Sequence, residues 1–454
     1  MACLEDQPRP QREEQSMRIT RRDFGTLIGA AGAGALATTG VARFAIAQAA
    51  LKVVIVGGGA GGASAAHLLK TEAPSLDVTL IETNPIYSSS FFSNLYLGGL
   101  REIESLNHGY QGLRALGIKV VQGTATDVDA AGKKIKVGGG TLHYDKLVLS
   151  PGIDIKFDSI PGYSREAALI MPHAYNTALD GKRLLKKQLQ DMRDGGVVVI
   201  VPPNNPYRCP PGPYERACMI AHYLKTKKPK SKLIILDPKK SFSKQPVFTE
   251  AFEKYYKDII ELNLTTEIDD FAVVSVDAKT KEIVTKAGKT VKADVANIIP
   301  QQRAGEIAHK AGAAKGDWCP IDPENFSAKE VKDIYVLGDA AIAAEMPKSA
   351  FSANSQAKVV VADILVELAK KERFPARYRN TCWSLLAPDD SVKVGANYSP
   401  KDGKLDAYGS FVSQQSETAD VRKQNYAESV AWYDSITAEM FAKGPMAPGA
   451  KKKG

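Results

Sequence analysis

Val53-Val54-Ile55-Val56-Gly57-Gly58-Gly59-Ala60-Gly61-Gly62 is the stretch whose reading decides the fold. A short, unbroken β-branched run reads as a strand buried on both faces of a parallel sheet. Gly57, Gly59 and Gly62 fall on the three glycine positions of G-x-G-x-x-G. In that pattern the first glycine permits a tight turn, the second lets the backbone approach a pyrophosphate, and the third lets the next helix pack closely on the strand. The helix N-terminus then faces the anion. Ala63 to Leu69 continues as a small-residue helix, and Val78-Thr79-Leu80-Ile81 reads as a second strand ending in Glu82. Glu82 follows Gly57 by 25 positions, near the roughly 20 expected of the carboxylate that binds a ribose hydroxyl. Glycines alone would mark only a turn; strand, glycines, helix, strand and acid in order mark a dinucleotide site.

The chain around this turn has 454 residues, 44% hydrophobic and 24% charged, enough to bury several cores. Its formal net charge of +9 is modest for that length and suits docking to an acidic partner. No basic, aromatic-interleaved motif points to nucleic acid, and Lys451-Lys452-Lys453 reads as a solvated end. Upstream, Thr20-Arg21-Arg22-Asp23-Phe24 precedes a weakly apolar, glycine- and alanine-rich stretch, and Ala47-Gln48-Ala49 offers a small-residue cleavage site. Residues 1–49 are therefore expected to be a twin-arginine signal region directing a folded protein to the periplasm. The stretch is too short and too poor in large apolar residues for a stable membrane anchor.

Downstream of Glu82 lies the polar segment Tyr87-Ser88-Ser89-Ser90-Phe91-Phe92-Ser93-Asn94, in the kind of loop where ligands bind beyond the carboxyl ends of parallel strands. A helix is expected near 108–116, and Val120-Val121 with Ile135-Lys136-Val137 are expected to form a small meander. Tyr144 to Gly152 resembles the segment closing the first half of an FAD domain in flavoproteins with two dinucleotide-binding domains. Ile334-Tyr335-Val336-Leu337-Gly338-Asp339 resembles their later strand, whose carboxylate reaches the ribityl chain. The two together favour FAD over a lone NAD site. Between them, Gly195-Gly196-Val197-Val198-Val199-Ile200-Val201 reads as another buried strand, but Pro202-Pro203-Asn204-Asn205-Pro206 stands where a glycine fingerprint belongs. Prolines lack the N–H groups that cradle a pyrophosphate, so this unit is expected to keep the shape of a nucleotide domain without binding NAD.

Next comes Tyr207-Arg208-Cys209-Pro210-Pro211-Gly212-Pro213-Tyr214-Glu215-Arg216. A cysteine on a proline-stiffened loop before a helix suits redox work, because a helix N-terminus stabilises thiolate. Cys319, in Trp318-Cys319-Pro320, reads as its partner. The competing reading is a structural disulfide, which would close 110 residues and contribute about 4 to 5 kcal/mol on the chain-entropy model. Cys218 and Cys382 read as bland. No Cys/His cluster has metal spacing and no C-x-x-C-H haem motif occurs in the sequence, so no metal is expected on this chain.

From about residue 51 to 440 the chain resembles the flavin-binding subunit of flavocytochrome c sulfide dehydrogenase. The resemblance rests on Cys209-Pro210-Pro211-Gly212-Pro213-Tyr214-Glu215-Arg216-Ala217, Asp317-Trp318-Cys319-Pro320, Met346 to Gln356, and Trp432-Tyr433. It implies an α/β glutathione-reductase-like fold: an FAD domain over 50–160 and 296–370, a nucleotide-type domain over 161–295 and a C-terminal interface domain over 371–454. It also implies oxidation of sulfide to sulfur or polysulfide, with electrons passed through FAD to a c-type cytochrome subunit in a heterodimer. Cys209 and Cys319 would be the redox disulfide, Glu215 a base and Trp432 an aromatic wall near the flavin. Arg208 and Lys348 would supply positive potential, and Asn354 would open a helix facing the flavin. The family's best-known pattern has a cysteine thioether to the flavin. Ser90 stands at that position here, so FAD is expected to be held non-covalently by the Gly57 turn, Glu82 and Asp339, with Asn94 beside it. Two other classes compete: a sulfide:quinone reductase, which needs a membrane-docking C-terminus unlike the polar residues 390–454, and a non-catalytic electron-transfer flavoprotein, which would not need paired cysteines.

Overall fold

Strand β1 (Lys52–Val56) sits in the middle of a sheet because its apolar run can be covered on both faces, and Val53 and Ile55 are fully buried. The computed structural model describes residues 51–175, 180–265, 270–369 and 372–442; the twin-arginine segment and the lysine tail lie outside them. After helix α1 (Ala60–Glu72) the chain returns as β2 (Asp77–Glu82), parallel to β1, with Val54 opposite Thr79. Strand β3 (Lys119–Gln122) extends this sheet beyond β2. The expected meander therefore does not include Val120-Val121. It is built instead from β4 (Ala125–Asp129), β5 (Lys134–Val137) and β6 (Gly140–His143). Strand β7 (Lys146–Leu149) pairs with the other side of β1.

The second α/β unit has its own parallel sheet. Strand β8 (Val197–Val201) leads into helix α2 (Gly212–Lys227), then β9 (Lys232–Asp237), helix α3 (Gln245–Tyr256) and β10 (Ile260–Leu264). With β11 (Val295–Ile298) the order is β10-β9-β8-β11. Asp237, at the end of β9, stands where a ribose-binding acid would stand, but it is fully buried and already engaged. It accepts from Tyr214 Oη at 2.6 Å and Lys239 Nζ at 2.7 Å, and Lys239 also donates to the Pro203 carbonyl at 2.8 Å. Tyr214 stacks on Phe242 at a centroid distance of 3.5 Å. The crevice at the carboxyl ends of these strands is thus packed with the chain's own side chains.

Strand β12 (Ile334–Val336) then returns to the first sheet, completing the parallel order β12-β7-β1-β2-β3. Helix α4 (Ala350–Ala369) begins earlier than its apolar periodicity suggests. Ser349 Oγ accepts from the Ser352 amide at 3.0 Å, an N-cap that draws Ser352-Ala353-Asn354 into the helix. The C-terminal segment folds as an antiparallel sheet, β13 (Tyr378–Ala387), β14 (Asp390–Lys401) and β15 (Lys404–Val412), followed by helix α5 (Ala419–Phe441). Among the described residues no helix is long and apolar enough to cross a membrane.

Candidate functional site

The β1–α1 turn forms one end of a cavity of about 820 Å³ that continues past Glu82, Ser90 and Asp339 to Cys209, Cys382 and Trp432. Gly57 has φ +98°, and a Cβ there would lie 2.2 Å from the Ser150 carbonyl oxygen. At Gly62 a Cβ would lie 1.9 Å from the Gly57 carbonyl oxygen, so helix and strand meet too closely for any other residue. Gly59 differs: its missing Cβ would have only Tyr87 Cε2 nearby, at 3.7 Å, on the cavity wall. Glu82 is fixed at the end of β2 by the Gly58 amide on Oε2 at 2.7 Å and the Asn84 amide on Oε1 at 2.8 Å.

Asp339 enters from the 3₁₀ turn after β12, Gly338–Ala340. Burial raises its pKa, opposed by Arg208 and Lys348, and Oδ1 is buried with no hydrogen-bond partner. Oδ2 lies 3.8 Å from Arg208 Nε. A buried carboxylate oxygen without a donor is costly unless a ligand hydroxyl supplies one. That vacant acceptor, the open face of Gly59 and the fixed Glu82 lie along one cavity, and they fit FAD: Gly57 and Gly59 for the pyrophosphate, Glu82 for the ribose and Asp339 for the ribityl chain. Ser90 Oγ accepts from Arg208 Nη2 at 3.2 Å. Trp432, on α5, stacks on Phe351 at 5.9 Å and 13° and lies 5.6 Å from Trp383, giving the far end of the cavity an aromatic wall.

The cysteines on the cavity wall differ from the expected pair. Cys209 has φ +57°, and its amide donates to the Lys348 carbonyl at 2.9 Å. It lines the cavity with Cys382 of β13. Cys319 does not join them. It is fully buried, paired with Ala341 in a two-residue parallel ladder, and absent from the cavity wall. The expected thiolate stabilisation at the helix start is also reversed. Burial pushes the Cys209 thiol up to about 12, with Cys382 and Glu215 adding to the rise and Lys244 and Arg208 opposing it. The Gly212 amide at the start of α2 is spent on the Cys209 carbonyl, at 2.8 Å, and so does not serve the sulfur.

Glu215, in the first turn of α2, also faces the cavity. Its Oε2 accepts from Asn94 Nδ2 at 2.7 Å and its Oε1 from the Leu385 amide at 2.9 Å. Burial raises its pKa against these donors. Asn94 therefore acts on Glu215, and its Oδ1 accepts from the buried Arg216 Nε at 3.1 Å.

Arg208, on the cavity wall, and Lys244, at the start of α3 and off that wall, are the cations that act on Cys209. Lys244 is the one bonded to β13. Its Nζ donates to Ser384 Oγ at 2.7 Å and to the Cys382 carbonyl at 3.3 Å. Burial brings its pKa down to about 8, against the opposing pull of Cys382, Glu215 and Cys209. Lys348 is not on the cavity wall: it donates to the Asp339 and Ala341 carbonyls at 3.0 and 2.6 Å and lies over Trp318 at 3.7 Å. Asn354 is likewise turned away, donating to Ser64 Oγ at 2.9 Å and Glu439 Oε1 at 2.7 Å, which ties α4 to α1 and α5. Among the described residues no group of histidines, cysteines and carboxylates could hold a metal.

The fold and cavity define an α/β flavoprotein oxidoreductase with two dinucleotide-type domains. The pyridine nucleotide-disulphide oxidoreductase model matches residues 51–200. Two narrower models match further along: the central domain of the sulfide dehydrogenase [flavocytochrome c] flavoprotein chain over 182–300, and the flavin-binding domain of flavocytochrome c sulphide dehydrogenase over 374–441. The chain is 49% identical over 43 residues to the sulfide dehydrogenase [flavocytochrome c] flavoprotein chain of Chlorobaculum thiosulfatiphilum, a match covering 90% of that sequence and 10% of this one. It is 21% identical over 333 residues to the mitochondrial sulfide:quinone oxidoreductase of Mus musculus, covering 72% of this chain and 73% of that one. The fold is similar to that of the sulfide:quinone oxidoreductase of Aquifex aeolicus, with a TM-score of 0.66, 18% identity, and coverage of 87% and 93%. The chain belongs to the flavoprotein-chain family of flavocytochrome c sulfide dehydrogenase and is a flavin-dependent sulfide oxidoreductase.

Proposed function

We propose that the protein oxidises sulfide through a redox disulfide between Cys209 and Cys382, with a c-type cytochrome subunit as electron acceptor. The observation that carries this reading is that these two cysteines share the wall of the cavity fitting FAD, while Cys319 is sealed behind it. Hydrosulfide attacks one sulfur of the oxidised pair, leaving a persulfide on that cysteine and the electron pair of the broken bond on the other. Lys244 stabilises the anionic sulfur so formed, and Glu215, held by Asn94 and the Leu385 amide, takes the proton. Bound FAD would supply the conversion between two-electron sulfur chemistry and one-electron transfer. Trp432 and Phe351 shape its pocket, and FAD is held without a covalent bond.

The haem belongs to a partner, because no C-x-x-C-H motif occurs in the sequence, and the family's description as the flavoprotein chain of a flavocytochrome supports a heterodimer. Thr20-Arg21-Arg22-Asp23-Phe24 supports export to the periplasm through the twin-arginine pathway. The test is sulfide-dependent reduction of cytochrome c by the complex. Cys209→Ser and Cys382→Ser should each abolish it, and Cys319→Ser should leave it standing. Loss of activity only with Cys319→Ser would overturn the pairing, and reduction of quinone with none of cytochrome would overturn the acceptor.

A further inference from the structure

Cys382 stands between two cavities. A second pocket of about 640 Å³ opens on the other side of the Cys209 loop, between Pro210-Pro211 and the C-terminal sheet. Cys382 and Pro211 line both cavities, whereas Cys209 lines only the first. Strand geometry explains the arrangement. Asn380 and Cys382 are two residues apart on β13 and share one face; Ala396 and Val394 lie directly opposite them on β14, and Val412 lies opposite Val394 on β15. Cys382, Val394 and Val412 therefore form a row across the sheet that becomes one wall of the pocket, with Phe411 and the exposed Val412 on the outer strand. The wall's carboxylate, Glu345, is solvent-exposed, while the Lys244 ammonium, next in sequence to the wall residue Ser243, bonds to the Cys382 carbonyl.

We propose that this second pocket is the sulfur site: hydrosulfide enters through it, and the sulfane sulfur, the zero-valent sulfur left after oxidation, is carried there on Cys382. The inference rests on the Cys209–Cys382 disulfide proposed above. Attack from this pocket forms a bond between the sulfide sulfur and Cys382 Sγ and breaks the bond to Cys209, whose sulfur keeps the electron pair and faces the FAD cavity. The proton of hydrosulfide is first left on the outer sulfur, as a hydropersulfide, and then passes to Glu215 on the wall of the first cavity. No external oxidant is needed for this step, since the disulfide is what is reduced. Apolar walls suit a neutral, polarisable sulfur chain, and the pocket lets that chain grow without displacing FAD.

The test treats the oxidised complex with one equivalent of sulfide, quenches with acid, alkylates and maps the peptides by mass. The expected result is one extra sulfur atom on the Cys382 peptide and an alkylated Cys209. Extra sulfur on Cys209 would overturn the inference while leaving the disulfide reading intact, and extra sulfur on neither would overturn both. The pocket itself is tested with Ala407→Trp, on the half-buried pocket wall away from β13. Flavin reduction by sulfide should slow at least tenfold while reduction by dithionite is unchanged. An unchanged sulfide rate overturns the assignment of the pocket.

Discussion

Asn94 Nδ2 donates to Glu215 Oε2 at 2.7 Å, while its Oδ1 accepts from Arg216 Nε at 3.1 Å, so one amide links the carboxylate to a buried guanidinium. The guanidinium in turn donates to the His173 carbonyl at 3.0 Å, Asn297 Oδ1 at 2.9 Å and the Ala174 carbonyl at 2.9 Å. Arg216 is locked, and through Asn94 it fixes a group on the cavity wall. The loop after β2 and the first turn of α2 are thereby registered against each other across the site.

Glu215→Gln should lower sulfide-dependent turnover by about 10²- to 10⁴-fold, the range expected when a positioned proton acceptor is lost. Its pKa is raised by burial, so the folded protein holds this proton at a pH where the unfolded chain has released it. The associated stability is fully present below the ordinary carboxyl pKa of 4.5 and is lost as pH rises through the folded value. Denaturant midpoints measured across that window should fall with pH in the parent protein, and less in Glu215→Gln. Equal slopes would show that Glu215 is not the titrating group.

Lys244→Met removes one of the two cations that oppose the upward shift of the Cys209 thiol. The thiol pKa should rise further, and iodoacetamide should alkylate reduced Cys209 on the order of tenfold more slowly for each unit of rise. Lys244→Arg should restore most of the rate. A packing role alone would lower stability without moving the pH profile of alkylation.

The first sheet was legible from the sequence because its signals are local: a β-branched run, three glycines and an acid at fixed spacings from Val53 to Glu82. The position of Asp339, on the cavity wall just after β12, was legible for the same reason. The proposed sulfur site was not, because it is assembled from segments far apart in sequence. Cys382 reads as bland, and only the folding of β13 against α2 puts it on the same cavity as Cys209. Lys244 shows nothing local beyond a lysine ahead of a helix. Cys319 and Lys348 misled for the opposite reason, since each sits in a distinctive motif that the fold spends on burial and on backbone carbonyls. Asn354 likewise lies in a distinctive segment, but its place inside α4, one turn past the helix start, aims its amide at Ser64.

Asp339→Ala should weaken FAD retention. Its Oδ1 is the buried acceptor without a protein donor, and a hydrogen bond to a charged group contributes about 1.5–3 kcal/mol, or roughly 10- to 100-fold in affinity. Equilibrium dialysis of the deflavinated protein against FAD measures this directly. Riboflavin-analogue binding, which also depends on the ribityl contact, should fall in parallel, whereas ADP binding at the Gly57 turn should not change.

Serine at position 90 underlies the proposal that the flavin is held without a covalent bond. A hydroxyl is far less acidic than a thiol, so it does not present the anionic nucleophile that a thioether to flavin requires. Here its oxygen also accepts from Arg208 Nη2 at 3.2 Å, in the same guanidinium that lies 3.8 Å from Asp339. Ser90 and Asp339 thus share Arg208 on the cavity wall. Acid precipitation of the purified protein should leave yellow flavin in the supernatant, and flavin retained in the pellet would show that another residue forms a bond. Ser90→Ala should also release its flavin on acid treatment, and its FAD dissociation constant should rise by less than that of Asp339→Ala, because Arg208 keeps its ion pair when the hydroxyl is removed.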